Sequence, residues 1–239
     1  MVKQAIIFAA GLGTRFKPWT DRHPKALAIV NGKSLLQRNI EYLQQYGIYN
    51  VVVNVHHFAN QVINDLKNNK GYGSKVFISD ESNLLLETGG GLLYAKKFLN
   101  GSDFLSINVD ILTDLNLNNM FREFKKDSKL ITLAVTNRSS NRGLLFDDNN
   151  CLCGWENKIT GETKISRKCI NPQIKAYSGV AMYCSNIFDF VHQTGKFSVT
   201  EIFLDLAKTS QVKGFEHNGD KVLDVGKPES IAIAEQLFL

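Results

Sequence analysis

The residues most suited to chemistry stand near the start of the chain, in a glycine turn that carries two cations. An apolar run over residues 5–10 leads into Gly-Leu-Gly-Thr-Arg at residues 11–15, and Pro24-Lys25 follows after a short polar span. Glycine lacks a Cβ, so the backbone turns sharply there and brings its N–H groups close to phosphate oxygens, while Arg15 and Lys25 supply the opposite charge. This pattern predicts a site for the phosphates of a nucleotide.

Two better-known phosphate loops do not fit the same residues. A dinucleotide-binding loop needs a third glycine where Phe16 stands, and an acidic residue at the end of the next strand, which here contains Asn54. A P-loop ending at Gly32-Lys33-Ser34 needs a glycine where Leu27 stands. The glycine turn is therefore interpreted as a phosphate site of another kind.

Two aspartates are candidates for binding a metal ion. Asp110 follows the apolar run 104–109, and Asp224 lies inside the apolar stretch 222–225. Magnesium is usually held by one or two carboxylates together with waters and substrate phosphates, so Mg²⁺ is the cofactor expected if both aspartates bind a metal beside a phosphate site. The alternative is that each aspartate is an ordinary loop or helix-capping residue. Asn108, two residues before Asp110, is expected to hydrogen-bond the nucleotide or its partner substrate.

A second glycine-rich segment reads Glu-Thr-Gly-Gly-Gly at residues 87–91. Three glycines before a helix let the backbone lie flat against a base or ribose, with N–H groups facing the ligand. We expect Gly89 and Gly90 to contact the nucleotide in this way. A helix-start turn that needs positive φ is the structural alternative, and it explains one glycine better than three.

Around these residues, short β-branched runs alternate with helical patterns over the first 110 or so positions. That order predicts a mostly parallel sheet in an α/β fold with helices on both faces. After residue 130 the chain becomes polar and hairpin-like up to about residue 168 and then returns to core. The pattern predicts a first strand ending near Ala10, further strands at 51–53, 75–78, 104–109, 131–135, 177–183 and 221–226, and helices at 34–46, 62–66, 92–98 and 199–208.

Composition narrows the class of protein. With 239 residues, 44% of them hydrophobic, one domain over 1–239 is expected. The net charge of +5 is spread along the chain without a basic arm, so no nucleic-acid partner is predicted. Without an apolar run of about 20 residues or a signal-peptide pattern, we expect no membrane partner and a cytoplasmic location. Monomer and homodimer both stay open.

The strand, the glycine turn with its arginine, and the Pro-Lys pair together resemble the sugar-phosphate nucleotidyltransferases. That family joins a nucleoside triphosphate to a sugar 1-phosphate and releases pyrophosphate. The resemblance implies a Rossmann-like nucleotide-diphospho-sugar transferase fold, with a nucleotide-binding half over about 1–129 and a sugar-binding half over about 130–239 that supplies the second metal ligand. It also implies that Arg15, Lys25 and Asp110 are catalytic, that Asp110 and Asp224 bind the metal, and that the nucleotide is bound by Gly11, Leu12, Gly13, Thr14, Arg15, Lys25, Gly89, Gly90 and Asn108.

On the sugar side the resemblance is thinner, because residues 145–170 form a longer polar insertion. It implies sugar contacts from Glu87, Asn137, Gly143, Glu156 and Gly179. The Ala-Ala-Gly form of the first loop favours UTP, and within the family the chain looks most like the uridylyltransferases that act on N-acetylmuramate 1-phosphate in cell-wall recycling. Mannose- or heptose-1-phosphate guanylyltransferase, phosphocholine cytidylyltransferase and a non-catalytic nucleotide-sugar sensor remain alternatives.

Overall fold

A computed structural model describes residues 2–99, 101–126, 129–209 and 211–238. The strands are β1 (Gln4–Phe8), β2 (Ile29–Val30), β3 (Lys33–Ser34), β4 (Asn50–Val55), β5 (Lys75–Asp80), β6 (Phe104–Asn108), β7 (Ile111–Thr113), β8 (Ile131–Thr136), β9 (Arg142–Phe146), β10 (Leu152–Asn157), β11 (Thr163–Ile165), β12 (Gln173–Tyr183), β13 (Val212–Glu216) and β14 (Val222–Asp224). The helices are α1 (Leu35–Gln45), α2 (Ala59–Asn68), α3 (Glu87–Tyr94), α4 (Lys96–Leu99), α5 (Leu117–Lys126), α6 (Val199–Ala207) and α7 (Ser230–Leu237).

A ten-stranded mixed sheet organises the molecule, which confirms the expected α/β class. Its main path runs β11-β10-β9-β12-β6-β1-β4-β5, with β8 added beside β12 and β13 beside β8. The strands of the first half, β6, β1, β4 and β5, are parallel to one another, whereas β12 and the strands towards β11 pair antiparallel. The carboxyl ends of β1, β4 and β6 therefore meet at one edge, where open α/β sheets bind ligands.

Helices cover both faces of the sheet, as the sequence predicts. Strand β1 shows why, because Ala5 and Ile7 face one apolar cluster and Ile6 and Phe8 face the other. Side chains on a strand alternate between its two faces, so a strand that is apolar at every position must be covered on both sides. Helices α1, α2, α5 and α7 pack into the first cluster, and α3, α4 and α6 pack into the second.

Several predicted boundaries hold for reasons visible in the backbone. The side chain of Ser34 caps α1 by accepting the Gln37 N–H at 3.0 Å, and Gly47 ends it with a φ of 74°. The pattern missed α5, although its buried Leu117, Met120 and Phe124 stand at helical spacing. It also missed β13, which extends the sheet beside β8.

Two predicted boundaries are wrong. Strand β1 ends at Phe8 instead of near Ala10, since the next two N–H groups donate to a side chain instead of to a neighbouring strand. The helix expected over 92–98 begins earlier, at Glu87, and stops at Tyr94 before the separate α4. The three glycines at 89–91 consequently lie inside a helix and do not precede it.

No helix in the described parts of the chain has the length and apolar character needed to cross a membrane.

Candidate active site

A cleft of about 410 Å³ opens at the carboxyl ends of β1, β4 and β6. Most of the residues predicted to bind a nucleotide line it, together with Asn54, Leu85 and Thr88, which the sequence did not single out. The lining includes Gly11, Leu12, Gly13, Thr14, Lys25, Glu87, Asn108 and Asp110. The fold thus brings the glycine turn and the end of β6 to the same place.

The glycine turn is shaped by its contacts with the segment that follows it. Gly13 has a φ of 61°, and a Cβ there would lie 2.8 Å from Thr20 Cγ2 and 3.3 Å from Lys25 Cβ. Its carbonyl oxygen accepts the Phe16 N–H at 2.8 Å and the Thr20 hydroxyl at 2.9 Å. Only glycine tolerates that conformation at such close range, so the turn and Lys25 are held against each other.

The two aspartates meet because their strands pair. Asp110 immediately precedes β7, Asp224 is the last residue of β14, and these two strands are antiparallel with Asp224 opposite Ile111. The Val225 N–H donates to the Asp110 carbonyl oxygen at 2.8 Å, which closes the arrangement. Residues that are 114 positions apart in the sequence are thereby fixed side by side.

Each of these carboxylates has a cation partner. Lys25 forms an ion pair with Asp110, and the two side chains are only 13% and 16% exposed. Arg15 Nη2 lies 3.7 Å from Asp224 Oδ2, in a more open position. A Cβ on Gly226 would lie 2.7 Å from Asp224 Oδ1 and 2.8 Å from Arg15 Nη2, so this glycine leaves the room that the second pair occupies.

The Asp110 and Asp224 carboxyl groups lie close enough to affect each other's ionisation. Desolvation and the neighbouring Asp110 carboxylate raise the pKa of Asp224, while Arg15 and Lys25 act in the opposite direction. Two carboxylates that repel each other at close range, balanced by fixed cations, provide hard oxygen donors of the kind that Mg²⁺ prefers. Within the described residues, no group of three or more His, Cys, Asp or Glu side chains could hold a metal ion. The Asp110 and Asp224 pair offers two carboxylates, whose chemistry fits Mg²⁺.

The role predicted for Gly89 and Gly90 needs correction. Both N–H groups donate to the Phe197 carbonyl oxygen, at 2.9 and 3.2 Å, so they do not face a ligand. A Cβ on Gly89 would lie 2.4 Å from the Phe197 ring, and one on Gly90 would lie 2.2 Å from the Gly195 carbonyl oxygen. These glycines let α3 approach the segment before α6. From this motif, Glu87 and Thr88 line the cleft instead.

The predicted sugar-side residues do not lie together in one place. Gly179 has a φ of 73° and lies in an irregular part of β12, where Ile111 Cγ1 and Asn108 Nδ2 would lie 2.6 and 3.2 Å from a Cβ. Gly143 and Glu156 are cross-strand neighbours on β9 and β10. The Asn137 N–H donates to Asn218 Oδ1 at 2.7 Å on an exposed turn. The structure places Gly179 beside Asn108 and Ile111, which lie within two residues of Asp110, and places Gly143 and Glu156 together on the hairpins.

A buried network beneath the cleft was not predicted. Asn54 Oδ1 accepts the Ala9 N–H at 2.7 Å and the Ala10 N–H at 3.3 Å, and Asn54 Nδ2 donates to Glu81 Oε1 at 2.8 Å. Asn54 and Glu81 are 2% and 3% exposed. An asparagine within the apolar run of β4 is the one signal that could have drawn attention to it, because buried polar side chains need partners.

Comparison with known proteins identifies the family of this chain. A family model described as nucleotidyl transferase matches residues 4–238, and the chain belongs to that family. The bifunctional protein GlmU of Methanococcus aeolicus is 30% identical over 94% of the chain, which spans about half (51%) of that relative's length. The N-acetylmuramate alpha-1-phosphate uridylyltransferase of Neisseria meningitidis is 28% identical, with 93% of each sequence aligned.

Solved structures show the same fold. HddC from Yersinia pseudotuberculosis has a TM-score of 0.78 and 25% identity, with 100% of both chains covered. The same protein complexed with GMP-PN gives a TM-score of 0.76 and 23% identity, again with 100% of both chains covered. The expected nucleotide-diphospho-sugar transferase fold is thereby confirmed.

Proposed function

We propose that this protein is an enzyme that joins a nucleoside triphosphate to a sugar 1-phosphate, giving a nucleotide sugar and pyrophosphate. The observation that carries the proposal is the pairing of Asp110 with Lys25 and of Asp224 with Arg15 beside the cleft. Two carboxylates and two cations at one point suit a reaction between two anions, for which neutralising charge is the main requirement.

In this reaction an oxygen of the sugar phosphate attacks the α-phosphorus, and the bond to pyrophosphate breaks. A phosphate monoester with a second pKa near 6 is already mostly ionised at pH 7, so no general base is needed. Lys25, buried at the cleft wall, lowers the repulsion between the two phosphates, and Arg15 neutralises the departing pyrophosphate. The N–H groups of the turn at Gly11, Gly13 and Thr14 orient the triphosphate.

We further propose that Asp110 and Asp224 hold Mg²⁺. Such an ion, when bound, supplies positive charge that stabilises the negative charge on the reacting phosphates. The two carboxylates fit this role because they are crowded and oppositely charged to the ion, and because Asp110 lines the cleft. Lys25 and Arg15 keep them oriented before any ligand arrives.

UTP and N-acetylmuramate 1-phosphate are the proposed substrates. In support, the Neisseria meningitidis relative bears the name of that activity and aligns over 93% of both sequences, so the similarity extends over most of its length. The Ala-Ala-Gly start of the glycine turn also favours UTP within the family. The protein would then act in the recycling of cell-wall sugars.

A guanylyltransferase that acts on mannose or heptose 1-phosphate is the second candidate. It is favoured by one observation, the full-length similarity to HddC, which was crystallised with GMP-PN. The two candidates share the site at Asp110 and Asp224 and differ only in the base and the sugar.

The test is a panel of UTP, dTTP, GTP and CTP, each combined with N-acetylmuramate, mannose and heptose 1-phosphates and with phosphocholine in the presence of magnesium. Release of pyrophosphate should be fastest for UTP with N-acetylmuramate 1-phosphate. Fastest release for GTP with mannose or heptose 1-phosphate would establish the second candidate, and CTP with phosphocholine would indicate a cytidylyltransferase. Nucleotide binding without pyrophosphate release for any pair would contradict an enzymatic role and indicate a sensor.

A further inference from the structure

We propose that Asn54 and Glu81 form a positioning pair that sets the direction in which the chain leaves β1 and enters the phosphate-binding turn. The inference rests on the proposed function, because it assigns the turn at residues 11–14 to the nucleotide. It concerns residues that do not touch the reacting atoms and act through the backbone of Ala9 and Ala10.

The backbone N–H groups change their hydrogen-bond partner at the end of β1. Up to Phe8 the strand pairs with β4 and β6. The next two N–H groups, of Ala9 and Ala10, both donate to one atom, Asn54 Oδ1. A side chain therefore replaces the strand ladder where the backbone turns away, and Gly11 follows at once. The orientation of the turn depends on where that oxygen is held.

Asn54 Oδ1 is held in place by Glu81. The Asn54 amide also donates from Nδ2 to Glu81 Oε1 at 2.8 Å, which fixes the orientation of the amide group. Glu81 is in turn anchored by its backbone, since its N–H donates to Val55 O at 2.8 Å and its carbonyl oxygen lies 2.7 Å from His56 Nδ1. Glu81, which follows β5, therefore holds the Asn54 side chain of β4, and Asn54 holds the backbone that leads into the turn.

The Asn54–Glu81 pair requires space beneath α3. A Cβ on Gly91 would lie 2.7 Å from Glu81 Oε1 and 2.8 Å from Asn54 Nδ2. The third glycine of the Gly-Gly-Gly run therefore lets the helix pass directly over the pair. Leu85 and Thr88, on either side of the start of this helix, line the same cleft as Ala9 and Ala10. One buried pair thus links both walls of the cleft.

The pair is costly, which argues that it does more than fill space. Glu81 is almost fully buried, and this burial raises the pKa of its carboxyl although hydrogen bonds from Asn54 and the Leu86 backbone oppose the shift. Apolar residues of similar size would stabilise a core at least as well. Apolar residues would provide no acceptor for the Ala9 and Ala10 N–H groups that lead into the turn.

The chain allows an exchange of donor and acceptor. In Asn54→Asp, a carboxylate still accepts the two N–H groups but repels Glu81. In the double variant Asn54→Asp with Glu81→Gln, the glutamine amide donates to the new carboxylate and the pair is restored in reverse. Asn50→Asp is the matched control, because it makes the same change at an exposed position of the same strand.

The experiment measures UTP and GTP affinity by calorimetry, KM for each substrate, and amide hydrogen exchange of residues 9–13 without ligand. Asn54→Asp should weaken nucleotide binding by about tenfold, the factor that corresponds to one lost buried hydrogen bond, and should speed amide exchange. KM for the sugar 1-phosphate should stay within about twofold, since that substrate does not contact the turn. The double variant should return to within about threefold of the wild type.

Two results would overturn the inference: a double variant no better than Asn54→Asp, or a loss of thermal stability with unchanged nucleotide affinity and unchanged exchange at residues 9–13. The exchange measurement needs no substrate. If the wild type binds no nucleotide, the proposed function fails, while restored exchange in the double variant would still show that the pair positions the backbone.

Discussion

The region around the cleft and the region of residues 142–170 are built in different ways. On the nucleotide side, the functional groups come from the ends of central strands, and ion pairs and buried hydrogen bonds connect them to each other. On the side of residues 142–170, the strands are hairpins that end at the edge strand β11, whose three residues are all exposed, as are Ile159 and Ile170 at 74% and 86%.

This difference corresponds to the two proposed substrates. A triphosphate is the same in every nucleotide, so a rigid site made of backbone N–H groups and paired charges suffices to bind it. A sugar is distinguished by the placement of its hydroxyl and acyl groups, which side chains on peripheral hairpins can follow as they vary. We therefore expect substitutions on the two sides to differ sharply in their effect on the reaction rate.

The largest effect is expected from Asp110→Asn. Removing one of two charged donors beside the reacting phosphates should lower kcat by about 100-fold or more, in the range measured when one preorganised electrostatic contact is lost. The melting temperature should change little, because the substitution keeps the shape of the side chain. Asp148→Asn, at an exposed position on the hairpin side, is the control and should keep wild-type kcat. Near-normal turnover of Asp110→Asn would show that substitutions in the two regions do not differ in their effect on the reaction rate.

Gly226→Ala should have the next largest effect. The added methyl group would meet both Asp224 and Arg15 within 3 Å and push that pair apart. We expect kcat/KM to fall by about tenfold, which corresponds to about 1.4 kcal/mol of lost stabilisation. Gly219→Ala provides a matched control, since nothing lies within 4 Å of a Cβ at that position. Equal activity of the two variants would show that the Arg15–Asp224 pair is not needed.

Two glycines on the nucleotide side should respond in opposite ways. Gly89→Ala would drive a methyl group into Phe197 and should lower the free energy of unfolding by about 1–3 kcal/mol, as overpacking does. Gly11→Ala has open space around the new Cβ and should leave stability unchanged while weakening nucleotide binding, which calorimetry and thermal unfolding would separate. Weaker binding by Gly89→Ala at unchanged stability would restore its predicted contact with the nucleotide.

The smallest effect concerns the pH dependence of stability at a buried histidine near Gly179. His217 Nε2 lies 2.8 Å from the Ser178 hydroxyl, next to Gly179, and burial lowers the pKa of His217 below its usual 6.5, although Asp220 opposes this. The folded state therefore favours the neutral ring. The stability that the neutral His217 ring contributes is fully present above pH 6.5 and is lost as the pH falls through the lowered pKa of His217.

Denaturant unfolding between pH 7.5 and pH 5 should accordingly show a fall in the wild type that is weaker in His217→Gln. His192→Gln, at an exposed position, should keep the wild-type slope. If His217→Gln keeps that slope too, His217 does not titrate with folding.

The sequence predicts the nucleotide side better than the other side, for physical reasons. The glycine turn, Lys25 and the two aspartates stand beside apolar strands whose order is readable from local patterns, so their meeting point follows from the fold. Gly89 and Gly90 were misread because a glycine that faces a ligand and a glycine that faces a neighbouring segment have the same local signature. The pairing of Gly143 with Glu156 depends on hairpin register, and Asn54 and Glu81 depend on two distant segments coming together. Neither is visible in local patterns.

The central claim is that Asp110 and Asp224 act together as the ligands of one divalent ion. The most direct measurement is a crystal structure with Mn²⁺ and a non-hydrolysable nucleotide, in which anomalous scattering locates the metal. We predict an anomalous peak within about 2.5 Å of an oxygen from each carboxylate, with the phosphates completing the coordination. A peak elsewhere, or nucleotide bound in the cleft with both carboxylates turned away from it, would contradict the claim.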